Sequence, residues 1–90
     1  MKSEIIKEGI LNIVDFPKDV LLNLPRITLI GRIQVSIENH KGIIEYVPER
    51  IRINTSIGII RIKGKKMIIN SIMTEVIVIN GEIEVVEILV

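Results

Sequence analysis

The sequence predicts a mainly β fold: an antiparallel meander of about seven or eight short strands, curled or sandwich-like, with a short N-terminal helix. Three observations carry that expectation. Isoleucine and valine dominate the apolar residues, alanine is absent, and the aromatics are Phe16 and Tyr46 alone; β-branched side chains are stiff at χ1 and pack well on a pleated surface. Several stretches alternate apolar and polar residues with the two-residue period of a half-buried strand. Turn signals recur at intervals too short for crossover helices, which excludes parallel βαβ units. A solenoid-like β stack is the alternative topology, although strands and glycines are spaced too irregularly to read as a repeat.

At 90 residues the chain makes one structural domain, divided into an N-terminal helical segment, residues 1–25, and a β domain, residues 26–90. Ser3 is placed to cap a helix, with Glu4 in its first turn and Ile6, Ile10, Ile13 and Val14 along one stripe. Gly9 weakens that helix by roughly 1 kcal/mol relative to alanine, so packing has to hold it. Pro17 disfavours helix at Phe16 and opens a second short turn through Leu21, and Leu24-Pro25 ends the segment. Arg32 to Glu38 then alternates, with Ile33, Val35 and Ile37 inward and Gln34, Ser36 and Glu38 outward. Gly31 reads as a bulge or corner before it. Asn39-His40-Lys41-Gly42 is a turn, Ile43 to Val47 a strand, and Pro48-Glu49 a break. Arg50 to Asn54 alternates again, Ile51 and Ile53 inward and Arg50, Arg52 and Asn54 outward. Gly58, Gly64 and Asn80-Gly81 punctuate the remaining apolar runs, and Asn80-Gly81 is placed to form a type I′ hairpin turn between Val76–Ile79 and Glu82–Val85.

The apolar doublets Ile43-Ile44, Ile59-Ile60, Ile68-Ile69, Val85-Val86 and Leu89-Val90 put an aliphatic side chain on each side of the sheet. Both faces therefore need cover, from the sheet curling on itself, from a partner or from a second copy. The mean hydropathy of +0.48 points the same way, toward apolar surface shared with something else. Ile44, Ile59, Ile68 and Val86 are the candidate apolar members of that surface, and a homo-oligomer is the expected state.

Composition excludes several chemistries. With no cysteine there are no disulfides, thiolate metal sites or thiol nucleophiles, which fits a reducing compartment. The start, Met1-Lys2-Ser3-Glu4, lacks a signal peptide's apolar core, and no apolar run reaches membrane-spanning length. A soluble, cytoplasmic protein with no direct membrane insertion is expected. Formal net charge is +1, too small to create a global field toward nucleic acid or anionic lipid.

Each local cluster of polar residues has a plainer role beside its chemical one. His40 with Glu38 offers one nominal acid-base or metal pairing, but a metal needs three or four converging ligands and there is no second histidine; His40 reads as a polar turn residue. Glu82, Glu84 and Glu87 read as a solvated strand edge that discourages aggregation, Glu82 and Glu84 sharing a face that Glu87 does not. Arg50, Arg52, Arg61, Lys63, Lys65 and Lys66 form the best local basic patch, and within it Arg50, Arg52, Arg61 and Lys63 make a stripe on one outer face, a candidate interaction surface for phosphates or an acidic partner. Nucleic-acid binding through that stripe is the alternative function, weakened because single-strand binders also use aromatic stacking platforms and the strands offer only Tyr46. There is no phosphate loop and no nucleophile elbow around Ser56 or Ser71. No catalytic residue, metal or cofactor is expected.

Phe16-Pro17-Lys18-Asp19-Val20 and Leu24-Pro25-Arg26-Ile27-Thr28-Leu29-Ile30-Gly31 resemble the YabP/YqfC family of endospore-forming bacteria. So do Ile37 through Tyr46, Arg50-Ile51-Arg52-Ile53-Asn54-Thr55, Ile62-Lys63-Gly64-Lys65, and Ser71 through Glu75 with Ile79 through Ile83. The Pro-Lys-Asp-Val and Asn-His-Lys-Gly stretches are closer to the YqfC branch. The chain departs from the family pattern at Glu75-Val76, where two acids are frequent, and at Ile88, where an aromatic is common. The resemblance implies a sporulation protein of the mother cell, often encoded beside a membrane-embedded sporulation protein, and carries no catalytic residues with it. The expected function is that of a non-enzymatic structural or adaptor protein in endospore formation, self-associating, binding a membrane-associated sporulation protein, or both. It would be peripheral at a membrane through that partner.

Overall fold

A computed structural model describes residues 22–90, so the expected N-terminal helix and the short turn through Leu21 lie outside the described residues. Six strands follow: β1 (Arg26–Ile30), β2 (Gln34–Glu38), β3 (Ile43–Val47), β4 (Arg50–Thr55), β5 (Gly58–Ile72) and β6 (Val76–Leu89). All neighbours pair antiparallel, in the order β1-β2-β6-β5-β4-β3. The mainly β antiparallel expectation holds at that level. The strands form one sheet rather than a solenoid, and among the described residues they number six, because β5 and β6 run 15 and 14 residues through positions that read as turns.

Two short hairpins flank a long ribbon. The ribbon is β5 against β6; β1–β2 adds to the first half of β6, and β3–β4 adds to the first half of β5. The meander is therefore interrupted once. Residues 39–42 do not fold β3 back on β2 but carry the chain to the other end of the sheet, where the Lys41 N–H donates to the Asn54 carbonyl at 2.7 Å and the Asn54 N–H to the Gly42 carbonyl at 2.8 Å.

Three register shifts bend the ribbon, at Lys63/Gly64, Lys65/Ile68 and Ile69/Ser71. A bulge sets two residues against one and increases local bend and twist. At the second shift Lys66 adopts a left-handed φ of 54°, and Gly81 faces it. A Cβ on Gly81 would lie 2.7 Å from the Met67 Cα, so glycine is required here by close backbone approach and not by a turn. Asn80 is extended, and its side-chain amide donates to Gln34 Oε1 at 3.1 Å across the β2–β6 pair. The hairpin expected at Asn80-Gly81 is thus absent; the ribbon turns at 73–75 instead, closed by the Met73 N–H donating to the Val76 carbonyl at 2.7 Å. Gly64 likewise sits inside β5, where the Glu82 backbone carbonyl leaves no space for a Cβ.

Bent in the middle, the ribbon brings both flanking hairpins onto one core. Val35, Ile37, Ile77 and Ile79 come from one half, Ile51, Ile53, Ile60 and Ile62 from the other, and Met67 and Ile83 from the bend, in a single buried cluster. Each fully buried aliphatic side chain contributes about 1.5–3 kcal/mol of transfer free energy. The inward positions expected in β2 and β4 hold, except Ile33. It precedes β2 in the turn 31–33 and is 64% exposed, because its carbonyl is used by the Gly81 N–H at 3.1 Å and the strand alternation begins only at Gln34. The turn 48–49 is anchored in the same manner to the other long strand, its Pro48 carbonyl accepting from the Met67 N–H at 3.0 Å.

Candidate interaction surface

Register places the four basic residues of the stripe together. Arg50 lies opposite Lys63 and Arg52 opposite Arg61, on the face turned away from the core. Each flank of this row carries an acid. Glu45, opposite Arg52 on β3, accepts from Arg50 Nε and Nη2 at 2.8 and 2.7 Å and from Arg52 Nε at 2.8 Å. The Arg50 hydrogen bonds outweigh partial desolvation and, with Arg52, hold the Glu45 carboxyl down at about 2. Glu87, opposite Arg61 on β6, accepts from Arg61 Nε at 2.6 Å. That bond lowers the Glu87 carboxyl below the ordinary carboxylate range, with the charges of Arg61 and Lys63 adding to it. The result is a ladder over four strands, with Arg52 and Arg61 side by side between Glu45 and Glu87.

The sequence had not singled out Glu45, though the signal was present. A two-residue turn at Pro48-Glu49 sets Val47 opposite Arg50 and therefore Glu45 opposite Arg52.

The apolar candidates separate. Ile44 is exposed at the β3 bulge, between the register positions Ile43 and Glu45. Ile59 is half-buried on the ladder face, opposite Asn54 and Leu89. Ile68 is 54% exposed on the outer face of the other half, opposite Asn80. Val86, in contrast, lies opposite Ile62 and packs against the core. The reason is the bulge at Glu84. Ile83 is buried, and unbroken alternation would send Val85 inward and Val86 outward, but the extra residue reverses the parity. Val85 is the outward member of that doublet, and the same reversal turns Glu87 outward beside Arg61. Glu82 and Glu84 stand farther along, 4.0 Å from Lys66 and 3.9 Å from Lys65.

His40 ties the corner where the two halves meet. The Gly42 N–H can only donate, so Nδ1, at 2.9 Å, accepts; Nε2 then carries the proton and donates to the Met73 carbonyl at 3.2 Å. Nearby, Ser56 donates to the Asn23 carbonyl, and the Asn39 amide donates to Asn23 Oδ1 at 2.9 Å and the Leu24 carbonyl at 3.2 Å. Among the described residues no three acidic or histidine side chains converge as a metal site. A shallow groove of about 240 Å³ runs between Leu29 and Arg32 on one side and Ile83 to Val86 on the other, with Arg32 and Glu84 as its charged lining residues. No helix among the described residues is long and apolar enough to cross a membrane.

Residues 23–89 match the model of the YabP family. The chain belongs to the YabP family. It is also 36% identical over 81 residues to the protein YqfC of Bacillus subtilis (strain 168), covering 90% of this chain and 87% of that relative. The family match spans the six strands and the turns that anchor them. No solved structure matches significantly.

Proposed function

We propose that this YabP-family chain is a non-catalytic structural or adaptor protein of endospore formation, acting by self-association, by binding a membrane-associated sporulation protein, or both. The process rests on what the YabP/YqfC resemblance implies. One observation supports the mode of action: large aliphatic side chains stay exposed at the rims and outer faces of the folded sheet, among them Leu29, Ile30, Ile44, Ile68 and Ile72. Such surface is retained at a solvation cost and marks contact with another macromolecule. A cytoplasmic location in the mother cell, peripheral at a membrane through the partner, completes the reading. The basic stripe favours the alternative of nucleic-acid binding less once Glu45 and Glu87 are in place, because the two acids diminish the field a phosphate backbone would meet.

Sedimentation velocity over a concentration series, combined with a photocrosslinker at Ile68 in sporulating cells, tests the proposal. A concentration-dependent rise in sedimentation coefficient, or a crosslink to a second copy or to a membrane protein of sporulation, is expected. A strict monomer at high micromolar concentration that crosslinks to neither overturns it.

A further inference from the structure

An open sheet has edges, and an edge strand offers backbone N–H and C=O groups to any strand that approaches. Strand order and strand lengths leave four such stretches among the described residues: β1, β3, the second half of β5 and the second half of β6. Three carry features that oppose pairing. β3 is broken by the bulge between Ile43 and Glu45 and ends at Pro48. The second half of β5 contains two register shifts and begins at Lys65 and Lys66. That of β6 is displaced at Glu84 and carries Glu82 and Glu87. Bulges and charges of this kind are how edges are protected.

β1 has the fewest, with Pro25 before it and Arg26 at its first position. Its register to β2 runs unbroken from Arg26↔Glu38 to Ile30↔Gln34, and Arg26–Ile30 holds no proline, lysine or acid. Its inner side chains, Ile27 and Leu29, lie opposite the core residues Ile37 and Val35. Ile27 packs against the core, yet Leu29 is 50% exposed. The core thus runs out to an uncovered rim at this strand. Among the described residues nothing fills that place: Leu22 to Pro25 lead into β1 with the Asn23 carbonyl accepting from Ser56 in the β4–β5 turn.

We infer that β1 pairs antiparallel with β1 of a second copy, about a two-fold axis through Thr28. The inference rests on the self-association reading above and gives it a surface and a symmetry. A five-residue strand pairing with itself in full register sets Ile27 against the partner's Leu29, Arg26 against the partner's Ile30, and Thr28 against the partner's Thr28. Directly opposed residues share a face, so the two exposed Leu29 side chains extend both cores across the joint, and no like charges oppose. The joined sheet is closed by symmetry and does not propagate.

Thr28 is exposed on the outer face, so charge at that position disturbs the pairing without entering the core. Thr28→Lys and Thr28→Glu each place like charges in direct opposition on the axis, and an equimolar mixture places opposite charges there. Sedimentation at low ionic strength should show each variant alone dissociating about fivefold more readily than the unmodified chain and the mixture recovering, with circular dichroism confirming that both fold. Unmodified protein that dimerises, with both variants dimerising equally well, overturns the β1 pairing and leaves self-association through another surface standing. Two weakened variants that fail to recover on mixing overturn the two-fold register. A strictly monomeric unmodified chain overturns the β1 pairing together with self-association itself.

Discussion

Glu45 takes hydrogen bonds from two guanidiniums on the neighbouring strand, and its titration should be visible in the acid stability of the domain. Its folded pKa is depressed, to about 2 from an ordinary 4.5. The stabilisation it supplies is therefore present above about pH 4.5 and is lost as pH falls toward about 2. Glu87, lowered by Arg61, acts with the same sign. Thermal midpoints measured across that window should fall less steeply for Glu45→Gln than for the unmodified chain, while above pH 5 the variant should be the less stable of the two. Equal slopes would remove Glu45 from the account of acid stability. Solvent screens this exposed pair, so the difference should shrink in high salt. At Gly64 steric exclusion decides instead. A Cβ there meets the Glu82 backbone, which cannot rotate aside as a side chain can, so Gly64→Ala should cost about 1–3 kcal/mol in urea unfolding. A neutral result would mean that the ribbon gives way at its bend.

Among the elements, the short strands were legible and the long ones were not, for a physical reason. In β2 and β4 one face is core and the other solvent, so Val35, Ile37, Ile51 and Ile53 announce themselves by alternation. The ribbon strands are read wrongly because glycine serves two purposes. Asn80-Gly81 and Gly64 carry the composition of turns, yet they permit close approach between bent strands, a need that arises only from pairing partners distant in sequence. The bulge at Glu84 cannot be seen locally either, and it decides which of Val85 and Val86 faces out. The basic stripe was legible because a two-residue turn and short strands fix the β3–β4–β5 register. His40 read as a plain turn residue; its imidazole bridges Gly42 and Met73, joining the β2–β3 connection to the ribbon's turn. His40→Ala should cost about 0.5–1.5 kcal/mol and speed hydrogen exchange at Gly42 and around Met73 more than in the core strands. Uniform exchange changes would assign the cost to global stability instead.

The fold as a whole depends on the ribbon's bend, because neither half buries its own inner face. Val35 and Ile37 in one half and Ile51 and Ile53 in the other are fully buried in one shared cluster, and either half alone would leave those side chains facing water. Cutting the core on either side should therefore destabilise both. Ile37→Ala and Ile53→Ala are each expected to cost about 2–5 kcal/mol, which consumes much of a stability of about 5–15 kcal/mol for a domain of this class. Each variant should still unfold in one transition, with the urea slope unchanged, because no half can persist once the other has opened. Tyr46 fluorescence reports from β3, in the half containing Ile53, and far-ultraviolet circular dichroism reports from every strand. Coincident midpoints by the two probes are expected for Ile37→Ala, although that substitution lies in the half without the tyrosine. If the dichroism transition began at lower urea than the tyrosine transition, the halves would be separate folding units, and the bend would be a hinge between them instead of the centre of one core.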